Sequence, residues 1–423
     1  MRDIPHLRWV IVALLFLATA ISYIDRQTLG VLAPLLRDQL SISNFGYARI
    51  LASFLLAYTI MQPVTGWMID RLGTRAGFSL IMLWWSIAAI LHSLGRGVLS
   101  FSVYRFLLGA GEAGSWSASV RAVSEWLPAQ ERGLANGIWG AGTSAGMVFS
   151  VPFVAWIALR VGWRFAFVVA GVLGLLWLAL WWLLFYPPEE HPWLSPRERA
   201  LIRSDEGPVL AKARTAYGSL LRSRSVWAVI LARMLADPNI WFYHYWLPEY
   251  FKRSAGFTLA DIGRYAWIPF ASQGVGILLG GVSSDELYRR GFRLLNARLL
   301  VMLGGVILMS GGLLAAGPVP VAVAFFGISL ATFGFGLWAP NMMSLCGEAF
   351  PGDVVGSVTG LGGMGAGLGG LAFTLLTGWL VDHLGYSPVF TLAGILPLAA
   401  MALLYLLLDR RKLGVGTTLT RRA

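Results

Sequence analysis

Charged residues are scarce in this sequence. They make up 13% of the 423 residues, whereas apolar residues make up 57% and the mean hydropathy is +0.67. In an ordinary soluble domain about a quarter of the residues are charged. The composition therefore excludes a soluble globular protein and predicts an integral membrane protein.

Cysteine and lysine are nearly absent. The single cysteine, Cys346, lies in an apolar segment, which excludes a disulfide framework and a thiol metal cluster. None of the three lysines, Lys212, Lys252 and Lys412, belongs to a phosphate-binding loop pattern, so ATP-driven pumping by this chain is disfavoured. The five scattered histidines supply neither a metal cluster nor a nucleophile–base set. We therefore expect no enzymatic activity, no metal and no other cofactor.

Long apolar segments alternate with short polar breaks along the whole chain. Each segment is long enough to cross a bilayer as a helix. There are twelve, at 9–36, 45–69, 76–94, 98–126, 134–159, 163–186, 226–251, 262–283, 297–316, 319–350, 354–381 and 387–408. The sequence thus predicts an all-α membrane protein of twelve transmembrane helices.

A polar, proline-rich stretch divides the twelve segments into six and six. We predict an N-terminal six-helix bundle over 1–186, a cytoplasmic linker over 187–225, a C-terminal six-helix bundle over 226–408 and a cytoplasmic tail over 409–423. Within the linker, Ser195-Pro196-Arg197-Glu198 combines an N-cap serine, a proline at the first helical position and an acid in the first turn. This pattern predicts a short surface helix.

The net charge of +12 would suggest nucleic-acid binding in a soluble protein, so the position of the charge decides its meaning. Most of the lysines and arginines fall at the two chain ends and in alternate loops, which is the positive-inside bias. The bias predicts that both termini are cytoplasmic, and it removes the support for nucleic-acid binding. The run after Arg8, with Ala18-Thr19-Ala20, imitates a cleaved secretory signal. Because the apolar segment continues to Leu36, we expect it to be the first span.

The fourth apolar segment carries the most informative charges. Glu112 lies at its midpoint, where an ionisable side chain costs roughly 2.5 to 3.5 kcal/mol and usually faces a polar cavity or a partner. Arg105 is a candidate partner on the same helical face, although a rise of roughly 10 Å separates the two residues. Gly109, Gly111 and Gly114 allow a backbone or a solute to approach this face. The alternative is a structural ion pair that joins two helices.

The two halves of the chain resemble each other. Seven residues of the first half are identical to the residue that lies 223 positions later in the chain. In the first half they are Glu125, Pro128, Gly133, Gly137, Gly140, Gly142 and Gly146, and in the second half, in the same order, Glu348, Pro351, Gly356, Gly360, Gly363, Gly365 and Gly369. A second repeated motif is Gly66-x-x-x-Asp70 in the first half and Gly281-x-x-x-Asp285 in the second. Parallel repeats of this kind are typical of two-bundle alternating-access transporters.

The segment from Gly66 to Arg75, GWMIDRLGTR, resembles the signature loop of the major facilitator superfamily, and the resemblance covers the full chain. It implies the major facilitator fold, with two six-helix bundles. It also implies a cytoplasmic gate, for which the candidates are Asp70, Arg71, Arg75, Arg121 and Asp285. An ordinary positive-inside loop remains the alternative for this segment, and a snorkelling side chain is the alternative for Arg121.

More narrowly, the chain resembles the anion:cation symporter branch, which includes bacterial hexuronate and sugar-acid transporters. The matching motifs are Tyr23-Ile24-Asp25-Arg26, the segment from Arg105 to Gly114, Ala232-Arg233-Met234-Leu235-Ala236-Asp237-Pro238, and Trp338 to Asn341. The chain departs from the branch at His244, Glu249 and Ser272-Gln273, where an apolar residue, a lysine and an acid are expected. These departures suggest a substrate other than a hexuronate.

Five charged residues within the spans could carry the chemistry. Asp25 and Glu112 are the candidates for proton coupling, because a desolvated carboxyl can hold a proton and release it when its surroundings become wet or cationic. Arg26, Arg105 and Arg233 are candidate anion-binding groups, since a guanidinium meets a carboxylate with two parallel donors. The alternative for Asp25 is a salt bridge to a neighbouring span, and the alternative for Arg105 and Arg233 is a structural pair with an acid on the same helix.

A sugar acid also needs hydroxyl partners and an apolar wall. Tyr23, Gln273 and Asn341 could bond to hydroxyls, and Trp338 could provide a face for the C–H surface of a sugar. A tryptophan in a membrane protein is more often an interface or packing residue. His92 and His244 are expected near the outer membrane surface.

The sequence as a whole predicts a proton-coupled symporter of a small organic anion such as a hexuronate or an aldonate. We expect it in the bacterial inner membrane, functional as a monomer, with the anion, protons and the lipid bilayer as its partners. One alternative is a uniporter or exporter of another organic anion or a drug-like solute. Another is a non-transporting membrane sensor, for which the short tail leaves no signalling domain.

Overall fold

The computed structural model describes residues 6–203, 220–350 and 355–409, without the side chains at 63, 70, 129–130, 132–133, 347–348 and 355–357. All regular secondary structure in these residues is helical. The first seven helices are α1 Leu7–Leu40, α2 Asn44–Leu91, α3 Val98–Glu112, α4 Ser115–Trp126, α5 Ala129–Arg160, α6 Trp163–Leu184 and α7 Pro196–Arg203. The others are α8 Arg224–Ala255, α9 Leu259–Tyr265, α10 Ile268–Arg289, α11 Leu294–Met309, α12 Val321–Ala349, α13 Val355–Leu384 and α14 Ser387–Leu407.

The helices coincide with the predicted spans, with three differences in continuity. The second and third spans form the single helix α2, which bends at Gly73 (φ 76°). The fourth span is broken into α3 and α4 directly after Glu112, and the eighth is broken into α9 and α10. Nine helical stretches within the described residues are apolar enough to cross a membrane by length and composition alone. The other three predicted spans, at 45–69, 98–126 and 226–251, fall on helices that are more polar or interrupted.

The chain divides into two compact units. The first comprises Met1–Leu210 with Tyr245–Trp267, and the second comprises Ala211–His244 with Ile268–Ala423. Helix α8 therefore contributes residues to both units. The predicted bundle boundaries at 186 and 226 differ from these divisions and stay a prediction. Residues 204–219 of the predicted linker and 410–423 of the predicted tail lie outside the described residues.

In the first unit, aromatic side chains join the helices. Helix α1 packs against α5 and α6, and α2 packs against α3 and α6. The indole nitrogen of Trp177 donates to the carbonyl of Leu14 at 2.8 Å. The ring centroid of Phe78 lies 5.1 Å from that of Trp177 and 5.1 Å from that of Trp181. Large buried rings with satisfied N–H groups thus hold α1, α2 and α6 together.

In the second unit, α12 packs against both α10 and α11. A Cβ atom at Gly336 of α12 would lie 2.4 Å from the carbonyl oxygen of Gln273 in α10. Glycine is therefore required for the two backbones to approach this closely. The contact fixes the backbone at Gln273, one of the predicted site residues.

The short linker helix α7 is fastened to the start of α1. As predicted, Ser195 caps it, because its hydroxyl accepts from the backbone N–H of Glu198 at 3.2 Å. The carboxylate of Glu198 accepts from the backbone N–H groups of Leu7 and Arg8, both at 3.1 Å, and from the Arg8 guanidinium at 2.8 Å. The same guanidinium donates to Glu131 in α5 at 2.7 and 3.1 Å. Arg8 thus joins α1, α5 and α7.

The Arg8–Glu131 contact predicts a pH dependence of stability. Hydrogen bonding to Arg8 lowers the pKa of Glu131. A carboxyl with a lowered pKa stabilises the folded state above its unfolded pKa, and this stabilisation is lost as the pH falls through its folded pKa. We expect Glu131→Gln to lower the melting temperature at neutral pH, with the difference from wild type disappearing below about pH 4. An undiminished difference at about pH 3 in thermal unfolding would contradict this assignment.

Candidate functional site

The charged cluster of the first unit centres on Glu112, the last residue of α3. Its side chain is 0% exposed. One carboxylate oxygen, Oε2, accepts from Arg26 Nε at 2.5 Å and from the Ser22 hydroxyl at 3.0 Å. Ser22 and Arg26 are four residues apart, so both project from one face of α1. The other oxygen, Oε1, is buried without a hydrogen-bond partner among the described residues.

Three aromatic rings surround the guanidinium of Arg26. Its carbon lies 4.9 Å from the ring centroid of Tyr23, 5.1 Å from that of Phe54 and 4.9 Å from that of Tyr58. Each ring face attracts the cation. The Arg26 side chain remains 15% exposed. Apart from the bond from Nε to Glu112, its guanidinium makes no hydrogen bond with a described residue.

The ionic partner of Glu112 is Arg26, and the expected pairing with Arg105 is wrong. Arg105 is 1% exposed and donates from Nη2 to the backbone carbonyl of Arg26 at 3.0 Å. Its guanidinium carbon lies 5.7 Å from the Phe54 ring centroid. Arg105 and Glu112 are seven residues apart on α3, too far for direct contact within one helix, so α1 supplies the closer cation.

Asp25 is the second carboxyl near this cluster. It precedes Arg26 on α1 and is 3% exposed. Within the described residues neither of its carboxylate oxygens has a hydrogen-bond partner. A buried carboxyl without a partner avoids its charged form. Its proton-coupling role, like that of Glu112, stays a prediction.

Gly109 allows α2 to pack closely against α3 beside the cluster. A Cβ atom at this position would lie 2.4 Å from the carbonyl oxygen of Phe54. Helix α2 therefore approaches α3 closely enough for the Phe54 ring to reach both Arg26 and Arg105. Gly109 thus allows a neighbouring backbone to approach, which is one of the two possibilities that the sequence left open.

In the second unit, Arg233 pairs within its own helix. Its Nε donates to Asp237 Oδ2 at 2.9 Å, the i, i+4 pair expected from the sequence. The indole nitrogen of Trp338 lies 3.4 Å from Asp237 Oδ1, and Trp338 is fully buried. Trp338 therefore packs against the ion pair, and its predicted role as a face for the C–H surface of a sugar stays a prediction.

The two predicted amide residues of this unit have different partners. Asn341 donates from Nδ2 to the backbone carbonyls of Gly280 at 2.9 Å and Leu337 at 2.8 Å. Its donor is thus committed to the backbone. Gln273 instead contacts a side chain, with its Oε1 3.0 Å from His244 Nε2.

Of the predicted gate residues, Arg71, Arg75 and Arg121 make contacts near the bend of α2, whereas Asp285 makes its contact in the second unit. Arg121 donates to Glu125 at 2.8 Å and to the carbonyl of Ile69 at 2.9 Å. Arg75 donates to the carbonyl of Trp182 at 2.6 Å. The remaining gate contacts are Arg71 over the Trp67 ring at 4.7 Å and Asp285 with Arg298 at 3.1 Å. The side chain of Asp70 lies outside the described residues, and the gating role of the set stays a prediction.

A cavity of about 560 Å³ adjoins these residues, lined by Arg75, Arg121 and Glu125 together with Glu189 and Glu190 of the linker. None of its lining residues belongs to the Arg26–Glu112 cluster. In the described part of the chain, no group of three or more His, Cys, Asp or Glu residues could hold a metal ion.

Three residues of the cluster were not identified from the sequence. Ser22, Phe54 and Tyr58 lie in apolar spans where nothing distinguishes them from packing residues. A partial signal exists in helical spacing, because Ser22 precedes Arg26 by four residues and Phe54 precedes Tyr58 by four, with their rings stacked at 5.7 Å. Such pairs share a face, but the sequence does not tell which face meets Glu112.

The sequence of the chain matches a known protein family over most of its length. The family model of the Major Facilitator Superfamily matches residues 15–374 and again 301–421. The hexuronate transporter of Escherichia coli K12 is 32% identical over 97% of this chain and 96% of its own length. The galacturonate transporter of Dickeya chrysanthemi is 35% identical over 74% and 91%. The D-galactonate transporter of Escherichia coli O6:H1 is 27% identical over 96% and 97%.

The fold is also similar to that of solved structures. The inward-open xylose transporter XylE from E. coli superposes with a TM-score of 0.75, over 95% of this chain and 96% of that one. At 18% sequence identity, the likeness concerns the fold alone. The predicted all-α major facilitator fold is thereby confirmed.

The Gly109 contact predicts the effect of a single added methyl group. In Gly109→Ala, the new Cβ meets the Phe54 carbonyl, and overpacking of this kind costs about 1–3 kcal/mol. Gly140→Ala is the matched control, because Gly140 lies within α5 and a Cβ there has nothing within 4 Å. Replacing a glycine inside a helix by alanine stabilises the fold by about 0.5–1 kcal/mol where the added methyl group has free space. Thermal unfolding should therefore give opposite shifts, and equal shifts would contradict the close approach of α2 and α3.

Proposed function

Because the chain belongs to the Major Facilitator Superfamily, a family of membrane transporters, we propose that it couples proton entry to the import of a small organic anion of the sugar-acid class. The observation that carries this proposal is the buried contact between Arg26 and Glu112. In this arrangement an internal carboxylate occupies one edge of the guanidinium to which a substrate carboxylate would bind. Proton and anion can therefore be exchanged at one group.

Anion binding uses the free part of Arg26. A guanidinium binds a carboxylate best through two parallel N–H donors, and only Nε of Arg26 is bonded to Glu112. The rings of Tyr23, Phe54 and Tyr58 restrict the plane of the guanidinium. Such restriction reduces the entropy lost when the anion binds.

Proton coupling follows from competition for this cation. When Glu112 is ionised, it attracts Arg26 and weakens the hold of the guanidinium on a second anion. Protonation removes the negative charge of Glu112, so a substrate carboxylate becomes the better partner. Asp25, buried one residue before Arg26, is the second carboxyl from which the proton can come or to which it can go. A ligand shifts a conformational equilibrium only if it binds one conformation more tightly than the other. Here we propose that the transport-competent conformation is favoured only when the proton and the anion are both bound.

The substrate class is supported by what the relatives have in common. Hexuronate, galacturonate and galactonate are the solutes in the names of the three relatives. Each of these solutes carries one carboxylate and several hydroxyls, which fits one guanidinium accompanied by neutral donors. Tyr23, whose ring packs against the Arg26 guanidinium, is the proposed hydroxyl partner. The bacterial inner membrane, with both termini cytoplasmic, is the proposed location. The direction of transport is import because the proton gradient across that membrane points inward.

Glu112→Gln should separate exchange from accumulation. The amide cannot be protonated or ionised under these conditions, so we expect counterflow of D-galactonate or D-galacturonate in proteoliposomes but no accumulation driven by a pH gradient. The matched control is Glu286→Gln, the same change at a residue whose side chain is 46% exposed. Full pH-driven accumulation by Glu112→Gln would contradict the proposed coupling.

Arg26→Lys should weaken binding while the positive charge is kept. Lysine is a point charge without the planar fork, so at least one charge-assisted hydrogen bond is lost, and each is worth about 1.5–3 kcal/mol. We expect the KM to rise about 10- to 100-fold. Arg290→Lys, an exchange at an exposed ion pair with Glu286, is the control. An unchanged KM for the transported sugar acid would exclude Arg26 as the anion-binding group.

A further inference from the structure

A histidine at the start of the linker has both of its ring nitrogens bonded to the backbone. His191 is 1% exposed. Its Nε2 lies 2.9 Å from the carbonyl oxygen of Leu184, the last residue of α6. Its Nδ1 lies 3.2 Å from the backbone nitrogen of Trp193. All three residues belong to the first unit, and none of them takes part in the proposed transport site.

The two contacts define the protonation state of the imidazole. A carbonyl oxygen can only accept, so Nε2 carries the hydrogen and donates it to Leu184. A backbone N–H can only donate, so Nδ1 accepts from Trp193 through its lone pair. His191 is therefore neutral in this structure, with its hydrogen on Nε2. A second proton would bind to Nδ1, where it would point at the N–H of Trp193 and remove that hydrogen bond.

Aromatic rings enclose the imidazole. Its centroid lies 5.3 Å from the ring centroid of Trp126 in α4, 5.4 Å from that of Tyr186 and 5.7 Å from that of Trp193. These rings leave the imidazole little contact with water. A desolvated imidazole disfavours its charged form.

Two arginines also act on this histidine. Arg199 in α7 donates to the His191 carbonyl at 3.0 Å. Arg75 in α2 has its guanidinium carbon 3.7 Å from the ring centroid of Tyr186, which lies beside the imidazole. Burial, together with the positive charges of Arg199 and Arg75, lowers the pKa of His191 below its ordinary value of 6.5, although the bond to Leu184 acts in the opposite direction.

The carboxylates on the elements around His191 have other partners or face water. Glu198 in α7 is bonded to the start of α1, and Glu125 in α4 is bonded to Arg121. Glu189 and Glu190 in the loop are exposed. Within the described part of the chain, no carboxylate is hydrogen-bonded to the imidazole, so none stabilises its charged form by direct contact.

His191 fastens the linker to the helices of the first unit. Its ring holds the loop to the end of α6, and its carbonyl holds Arg199 of α7. Helix α7 is in turn bonded to α1 through Glu198. Loss of the neutral imidazole therefore weakens the attachment of the loop and of α7 together.

We propose that His191 is an acid-sensitive latch, whose neutral form fastens residues 187–203 to the first unit and whose protonation releases them. The latch itself does not depend on the proposed function. Its signal does, because the linker faces the cytoplasm in the proposed orientation, and that is where imported protons arrive. The latch then responds to acidification of the compartment into which the protein delivers protons.

Hydrogen–deuterium exchange of the purified full-length protein tests the latch. The exchange rate of peptides that cover residues 187–203 is measured at about pH 7.5 and about pH 5.5 and divided by the intrinsic rate at each pH. Once released, His191 binds a proton with its ordinary pKa, so the open population rises by up to about tenfold between these pH values. We expect the corrected rate of wild type to be about three- to tenfold higher at the lower pH.

His191→Gln is the test variant, because its amide keeps a donor near the position of Nε2 and cannot be protonated in this range. Its corrected rate should stay near that of wild type at about pH 7.5 and change by less than about twofold between the two pH values. His191→Arg carries a permanent charge, so its rate at both pH values should be at least that of wild type at the lower pH. The matched control is His383→Gln, the same change at an exposed histidine in the second unit, which should respond as wild type does.

Two results would overturn the proposal. One is a corrected rate in wild type that differs by less than about twofold between the two pH values. The other is an acid response in His191→Gln equal to that of wild type, because the proton would then bind elsewhere. Neither result bears on transport of a sugar acid, so failure of the latch and failure of the proposed function are distinguishable.

Discussion

A carboxylate at the middle of a membrane protein must be neutralised or bonded, because ionised groups there are costly. Glu112 meets this requirement through Arg26 and Ser22 on a neighbouring helix, not through the arginine on its own helix. The contact crosses from α1 to α3, so it depends on how those helices are placed. The break after Glu112, the close approach at Gly109 and the three rings around Arg26 all maintain that placement.

The second unit satisfies its charges differently. Arg233 and Asp237 are paired within a single helix turn of α8, and Trp338 covers the pair. A local i, i+4 contact can persist whatever the neighbouring helices do, whereas the Arg26–Glu112 contact cannot. On this account the repeat that relates the two halves is chemically asymmetric. The buried acid of the first unit is paired across two helices, whereas that of α8 in the second unit is paired within its own helix.

The length of the apolar segments and the scarcity of charge were sufficient to predict an all-α membrane protein, and residue spacing predicted several local contacts, whereas the major facilitator fold was predicted from the family resemblance. The capping of α7 by Ser195 and the Arg233–Asp237 pair follow from spacing along one helix, which the sequence states directly. The partner of Glu112 could not be derived in this way, because Arg26 and Glu112 are 86 residues apart and meet only when α1 packs beside α3. Phe54 and Tyr58 were missed for the same reason. Their chemistry is ordinary, and only tertiary placement brings them to a cation.

The central claim is that a substrate anion and the carboxylate of Glu112 compete for the guanidinium of Arg26. Protonation of Glu112 decides the outcome in favour of the substrate anion. This claim is tested most directly by counting protons during binding, with calorimetric titrations of the transported sugar acid into purified wild-type protein in buffers of different ionisation enthalpy. The account predicts uptake of about one proton for each anion bound near neutral pH. Binding that takes up no proton at any pH between about 5 and 8 would contradict it.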